Sequence, residues 1–203
     1  MLVIVDYKAG NLKSVERACR EVGVEAEISG DPEKIRQASR LIFPGVGAAG
    51  AAMTSLQETG IDEAIREFFN LGRPVLGICL GLQISLNYSE ENQTKTLDLI
   101  AGEVKKFRLK ETGLKIPHMG WNDLSIRGDH PLLTGLGSEP HMYFVHSYHL
   151  VAAESMEVLA TVDYSGSVTA VVGRDNLVGT QFHPEKSQGM GLCLIENFLN
   201  WKP

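Results

Sequence analysis

Three short runs of nearly unbroken apolar character, at residues 2–5, 40–43 and 75–78, constrain the fold more than any other feature. A strand of this kind has no face to offer to water, so it must be covered on both sides. The segments between them supply the cover. Leu12, Val15, Cys19 and Val22 recur at three- and four-residue spacing, as do Ile61, Ile65, Phe68 and Phe69, which places each set on one face of a helix. Residues 24–28 read as a further strand, Asp31-Pro32 opens a short helix, and the chain from Leu80 to about Tyr88 reads as helical. Strands alternating with helices predict a parallel sheet with helices on its faces.

Beyond residue 100 the pattern changes. Residues 103–109, 116–126, 143–151, 158–162, 169–172 and 177–181 are strand-like and separated by turn residues, and residues 190–201 close as a helix. The expected fold is α/β: a mostly parallel central sheet flanked by helices, with additional antiparallel strands, in a single domain of residues 1–203. There is no repeat, low-complexity tract or linker.

Composition narrows the function. Of 203 residues, 43% are hydrophobic and 22% charged, an ordinary globular balance. A net charge of −6 carries no nucleic-acid footprint, which needs clustered Lys and Arg. The one short basic stretch, Lys105-Lys106 to Arg108, reads as a solvated strand edge. Cys19, Cys79 and Cys193 are odd in number and far apart, which argues for a reducing compartment rather than a disulfide framework. The first apolar run stops at Asp6 and lacks a basic flank, so it reads as a strand and not a signal segment. No run approaches the roughly 18 apolar residues of a membrane span. A cytoplasmic protein without membrane association is expected.

Gly77-Ile78-Cys79-Leu80-Gly81 stands where a buried strand turns into a helix. This is the nucleophile-elbow pattern with Cys in place of Ser. Glycines two residues either side of the nucleophile are needed where a Cβ would clash, and the helix N-terminus favours a thiolate. Cys19 and Cys193 lie on apolar helix faces without such glycines and read as core. A nucleophilic cysteine needs a base and the base an orienter. His183 and Glu185, either side of Pro184, offer both and share a face if the segment is extended. Pro44–Gly50 contains Gly-x-Gly-x-x-Gly after a strand, but the acidic partner of a dinucleotide site would fall at Asp62 or Glu63, inside a helix. The same loop can instead supply a backbone N–H to an oxyanion. His141, His146 and His149 cluster without a Cys or carboxylate at ligand spacing, so no metal is expected. Trp121, in the polar run 117–122, suits either core or an exposed interface.

Together, Gly-Ile-Cys-Leu-Gly-Leu-Gln at 77–83 and Gln-Phe-His-Pro-Glu-Lys-Ser at 181–187 resemble the class I, triad-type glutamine amidotransferases. Asp6-Tyr7 with Gly10-Asn11-Leu12, Pro44-Gly45-Val46-Gly47, Pro117–Asn122 and His146-Ser147-Tyr148 narrow the resemblance. They point to the glutaminase subunits that serve a cyclase in histidine biosynthesis, and the markers span nearly the whole chain. The resemblance implies a flavodoxin-like sheet, with Cys79 as nucleophile, His183 as base and Glu185 as orienter. It implies an oxyanion hole from the N–H of Leu80 and the Val46-Gly47 peptide. Glutamine would be held by Gly47, Gln83, Ser147 and Tyr148. Trp121, Tyr143 and Lys186 would face a (β/α)₈-barrel cyclase in a heterodimer, and no cofactor is implied. The chain departs from the family at Lys8-Ala9, where a glycine is frequent, and at Leu82, where methionine is usual.

Position 46 is valine, so a positive φ there is costly. The resemblance implies that this peptide turns over only when the partner is occupied. A barrel of about 250 residues cannot fit in this chain, so the acceptor chemistry must lie on another one. Three other readings keep the same motifs: the ammonia supplier of pyridoxal phosphate synthesis, a related cysteine hydrolase such as a γ-glutamyl hydrolase, and an inactive regulatory module. The intact Cys79, His183 and Glu185 argue against the last.

Overall fold

The computed structural model describes residues 1–109 and 113–203. In chain order the first half runs β1 (Leu2–Val5), α1 (Leu12–Glu21), β2 (Ala26–Ser29), α2 (Pro32–Gln37), β3 (Arg40–Gly45), α3 (Ala49–Thr59), α4 (Ile61–Asn70), β4 (Val75–Cys79) and α5 (Leu80–Gln83). Short strands β5 (Tyr88–Ser89) and β6 (Thr94–Lys95) lead to β7 (Gly102–Lys106), β8 (His118–Ile126), β9 (His141–His146) and β10 (Tyr148–Ala152). The chain ends with β11 (Val158–Asp163), β12 (Ser167–Arg174), β13 (Leu177–Thr180) and α6 (Gln188–Asn200).

The order β2-β1-β3-β4-β13 is parallel throughout. Every residue of β1, β4 and β13 is buried, which is why these strands do not alternate. The two faces of β1 feed two separate cores. Leu2 and Ile4 pack with Val15 and Cys19 of α1 and with Leu194, Ile195 and Phe198 of α6. Val3 and Val5 pack with Ile35 of α2, Leu56 of α3 and Ile61, Ile65 and Phe68 of α4. The sheet then turns antiparallel through β12, β10 and β7. A ribbon leaves it at β11, which pairs with β8, and β8 pairs with β9.

The differences from the sequence reading have local causes. The helix opened by Leu80 ends after one turn. The carbonyls of Ile84, Ser85 and Leu86, which a longer helix would use, instead accept from Leu97, from Leu99 and Ile100, and from Asp98. The segment 49–59 is a helix that the glycine-rich reading did not anticipate. It has no side-chain cap of its own; the Ala49 N–H donates to Glu91 Oε2 at 2.8 Å, from 42 residues further along. Residues 143–151 are two strands rather than one, broken at Ser147, with β9 in the ribbon and β10 in the main sheet. The basic stretch keeps its edge character: β10 pairs with Lys105 and Lys106 on one side, while β5 reaches only Glu103 and Val104 on the other. Cys19 is core, but Cys193 is only half-buried. Among the described residues no helix is long and apolar enough to cross a membrane.

Candidate active site

β4 delivers Cys79 to the carboxyl edge of the sheet and α5 leaves from it. The turn between them is sharp: Cys79 takes φ 52° and ψ −109°, a region that costs a non-glycine residue roughly 1–3 kcal/mol. The surroundings enforce it. A Cβ at position 81 would lie 1.8 Å from the Phe43 carbonyl oxygen, and one at position 77 would lie 3.0 Å from Leu82 Cα. These two glycines let β3, β4 and α5 close on one another and hold the thiol outward. Leu80 is the first residue of α5, so its N–H has no intrahelical acceptor.

His183 follows β13, the strand beside β4, and its main chain is extended at φ −100° and ψ 97°. The segment after it is not extended. Pro184–Lys186 forms a 3₁₀ turn, and this turn brings the Glu185 carboxylate back to the ring. His183 Nδ1 donates to Glu185 Oε1 at 2.8 Å, with both side chains 2% exposed. With Nδ1 as the donor, the neutral ring carries its lone pair on Nε2. That atom is buried and has no hydrogen-bond partner among the described residues. Burial works against the charged ring, but Cys79 and Glu185 both stabilise it and together raise the His183 pKa to about 10. The main chain is clamped as well. The His183 N–H donates to the Tyr143 carbonyl at 2.9 Å. Ser187 Oγ donates to the His183 carbonyl at 2.7 Å and accepts from the Tyr143 N–H at 3.0 Å.

A cavity of about 330 Å³ opens over Cys79, with Val46, Gly47, Leu80, Gln83, Ser147, Tyr148 and His183 in its wall. It thus brings together the residues read as nucleophile, base, oxyanion hole and glutamine contacts. Val46 is 43% exposed at the rim. The positive φ of this loop falls on Gly47, at 100°, where no side chain resists it. Gln83 is buried, and its amide nitrogen is committed twice: to the Tyr148 carbonyl at 3.0 Å and to Gln181 Oε1 at 2.9 Å. Its own Oε1 is therefore the atom left for a cationic group in the cavity.

Gln181 was not singled out by sequence reasoning. It is fully buried, and its Nε2 donates to Cys79 Sγ at 3.7 Å. The only signal was its place two residues before His183. Tyr7 was also missed in this role. Its hydroxyl is buried without a partner among the described residues. Burial first, and then the nearby Cys79, raise its pKa.

Outside the cavity, the ribbon carries an aromatic patch. Trp121 is 41% exposed, stands edge-on to Tyr143 with ring centroids 5.9 Å apart, and stacks on His141. Lys186 Nζ lies 5.8 Å from the centroid of Tyr143. Trp121, Tyr143 and Lys186 thus form one surface. The histidine cluster is dispersed: His141 pairs with Asp123 at 2.6 Å, and His146 pairs with His118. No metal-holding group of His, Cys, Asp or Glu occurs among the described residues.

At such a turn a thiol can attack a carbonyl carbon, and the imidazole behind it can shuttle the proton; this is the logic of nucleophilic-cysteine acyl-transfer enzymes. The family can be stated more narrowly. The model for class-I glutamine amidotransferases matches residues 3–200, and the chain belongs to that family. Among curated relatives, it is 47% identical over 214 residues to the imidazole glycerol phosphate synthase subunit HisH of Mesorhizobium japonicum, covering 100% of this chain and 99% of that one. It is 48% identical over 203 residues to the subunit of the same name from Nitratidesulfovibrio vulgaris, covering 98% and 95%. A solved structure described as a glutamine amidotransferase superposes with a TM-score of 0.77 at 22% identity, over 98% of this chain and 97% of that one. That likeness bears on the fold.

Proposed function

We propose that this chain is the glutaminase subunit of an imidazole glycerol phosphate synthase, and that residues 1–203 act as one amidotransferase domain. The observation that carries the chemistry is the strained Cys79 and His183 in the wall of one cavity, with His183 paired to a buried Glu185 carboxylate behind it. In this reading glutamine enters with its α-ammonium toward Gln83 Oε1 and its side-chain amide over Cys79, between Ser147, Tyr148 and Gly47. The sulfur attacks the amide carbon. His183, held charged by its neighbours, gives its proton to the leaving ammonia. The neutral ring then takes a proton from water as that water opens the thioester and releases glutamate.

The N–H groups of Leu80 and of the Val46-Gly47 peptide receive the negative oxygen of the tetrahedral intermediates. Each such donor is worth about 3–4 kcal/mol. Trp121, Tyr143 and Lys186 face a (β/α)₈-barrel cyclase, which takes the ammonia and forms imidazole glycerol phosphate and an aminoimidazole carboxamide ribonucleotide. The assembly works in the cytoplasm, and this chain's part in it needs no cofactor. The ammonia supplier of pyridoxal phosphate synthesis is the competing assignment; the relatives' names and full-length coverage favour the cyclase.

The test is glutamate release from glutamine, with and without the purified cyclase and its nucleotide ligand, for wild type and Cys79→Ala. Activity strongly stimulated by the liganded cyclase and lost in Cys79→Ala is the expected result. Activity indifferent to the cyclase would reassign the partner. Activity that survives Cys79→Ala would remove the triad.

A further inference from the structure

An unbroken series of hydrogen bonds joins the ribbon to the nucleophile, and each proton in it has one consistent place. His146 Nδ1 lies 2.7 Å from the Tyr148 carbonyl oxygen. A carbonyl only accepts, so this nitrogen carries the proton and His146 Nε2 is bare. His118 Nδ1 lies 3.0 Å from His146 Nε2 and must therefore donate to it. His118 Nε2 is then bare in turn and accepts from Asn122 Nδ2 at 3.4 Å. The second hydrogen of that same amide goes to the Asp163 carbonyl at 3.0 Å. At the other end, the Tyr148 carbonyl takes its second hydrogen bond from Gln83, which also donates to Gln181, which donates to Cys79 Sγ. Both rings are buried, and burial pushes His118 down to about 4 and His146 to about 3. They are therefore neutral at neutral pH, as the assignment requires.

This arrangement is not needed for packing alone. His118 stacks between Tyr164 and Phe144, with ring centroids 3.9 and 4.7 Å away, a slot that a phenyl ring would fill. An imidazole there supplies what a phenyl does not: a directed N–H to His146 and a bare nitrogen that accepts from Asn122.

We propose that His118 and His146, anchored by Asn122, are positioning residues for the glutaminase site, fixing the Tyr148 carbonyl and through it the Gln83–Gln181–Cys79 hydrogen bonds. The assignment rests on Cys79 being the glutaminase nucleophile. It ties the strand that carries Trp121 to the wall of the glutamine cavity without touching the reacting atoms.

Two substitutions at one position separate positioning from packing. His118→Phe keeps the stacked ring and removes the N–H. His118→Asn keeps a donor at the place of Nδ1 and removes the ring. With glutaminase measured in complex with the cyclase and its nucleotide ligand, His118→Phe should raise KM for glutamine roughly tenfold, because the Tyr148 carbonyl and the Gln83 amide it holds are no longer fixed in the cavity wall. Its kcat should stay within about threefold of wild type, since no reacting group is touched. His118→Asn should keep a near-wild-type KM even though it lowers Tm. An unchanged KM in His118→Phe, or a KM raised as much or more in His118→Asn, would overturn the proposal.

The wild-type chain supplies a measurement that no folding defect can spoil. Long-range ¹H–¹⁵N correlations should report both His118 and His146 as Nδ1–H tautomers at pH 7, and an Nε2–H tautomer on either ring would break the series. The same spectrum separates the two readings. A wild-type complex without glutaminase activity would defeat the assigned function, whereas the tautomers test the hydrogen-bond series whatever that activity is.

Discussion

The two halves of the proposed catalytic centre are held by different forces. Cys79 is fixed by main chain: three elements meet at glycines, and φ and ψ set the direction of its Cα–Cβ bond. His183 is fixed by hydrogen bonds, to Glu185 from its ring and to Tyr143 and Ser187 around its backbone. The first kind of restraint is local and all-or-none. The second is graded, and it reaches the surface, because Tyr143 also belongs to the aromatic patch. On the proposed mechanism, a nucleophile that must not move and an acid–base group linked to the surface call for these two solutions.

The contrast can be broken most severely at Gly81. Gly81→Ala puts a methyl group into the Phe43 carbonyl, a backbone atom that cannot yield cheaply. The expected outcome is loss of the folded protein or of all glutaminase activity, read by circular dichroism and glutamate release. A variant that folds and retains a tenth of wild-type activity would show that the elbow is softer than described. Glu185→Gln is gentler on structure and sharper on mechanism. The amide fills the same volume but favours the wrong ring tautomer, and kcat should fall by about 10³–10⁴-fold at little cost in Tm. A loss of less than tenfold would mean that the ring is oriented by its backbone clamp alone.

The smallest effect concerns acid. His118 and His146 have folded-state pKa values below the ordinary 6.5, at about 4 and about 3. Between those values the unfolded chain binds more protons than the folded one, so stability rises with pH and is lost as pH falls from 6.5. Tm measured from pH 7 to pH 4 should therefore fall, and fall less steeply in His118→Phe. Parallel curves would show that these rings do not govern the acid response.

The same contrast explains what could be read from sequence. The parallel half was legible because its restraints are sequence-local: unbroken apolar strands, helical spacing in α1 and α4, and glycines around a cysteine. The pairing of His183 with Glu185 was also legible, though for an incomplete reason. The expected extended chain is a 3₁₀ turn, and the turn makes the contact.

What escaped depends on distant partners. Nothing near residue 49 announces α3, because its first N–H is satisfied by Glu91. Nothing near residue 84 announces the end of α5, because residues 97–100 take the carbonyls of Ile84, Ser85 and Leu86 that would have continued it. Gln181 and His118 look like ordinary polar residues until the fold sets them against Gln83 and His146. The break at Ser147 is invisible in a run that is strand-like on both sides.

The three thiols carry a consequence for chemical labelling. Cys19 is sealed in the core, and burial pushes its pKa up to about 12, so it is silent to electrophiles while the fold holds. Cys193 is partly open to solvent. Cys79 is only 6% exposed, at the floor of a cavity of about 330 Å³. A compact alkylator can therefore reach Cys193 from solvent and Cys79 through the cavity. A warhead mounted on a glutamine-shaped frame favours Cys79, and the ratio of the two adducts becomes a direct gauge of how open the cavity mouth is.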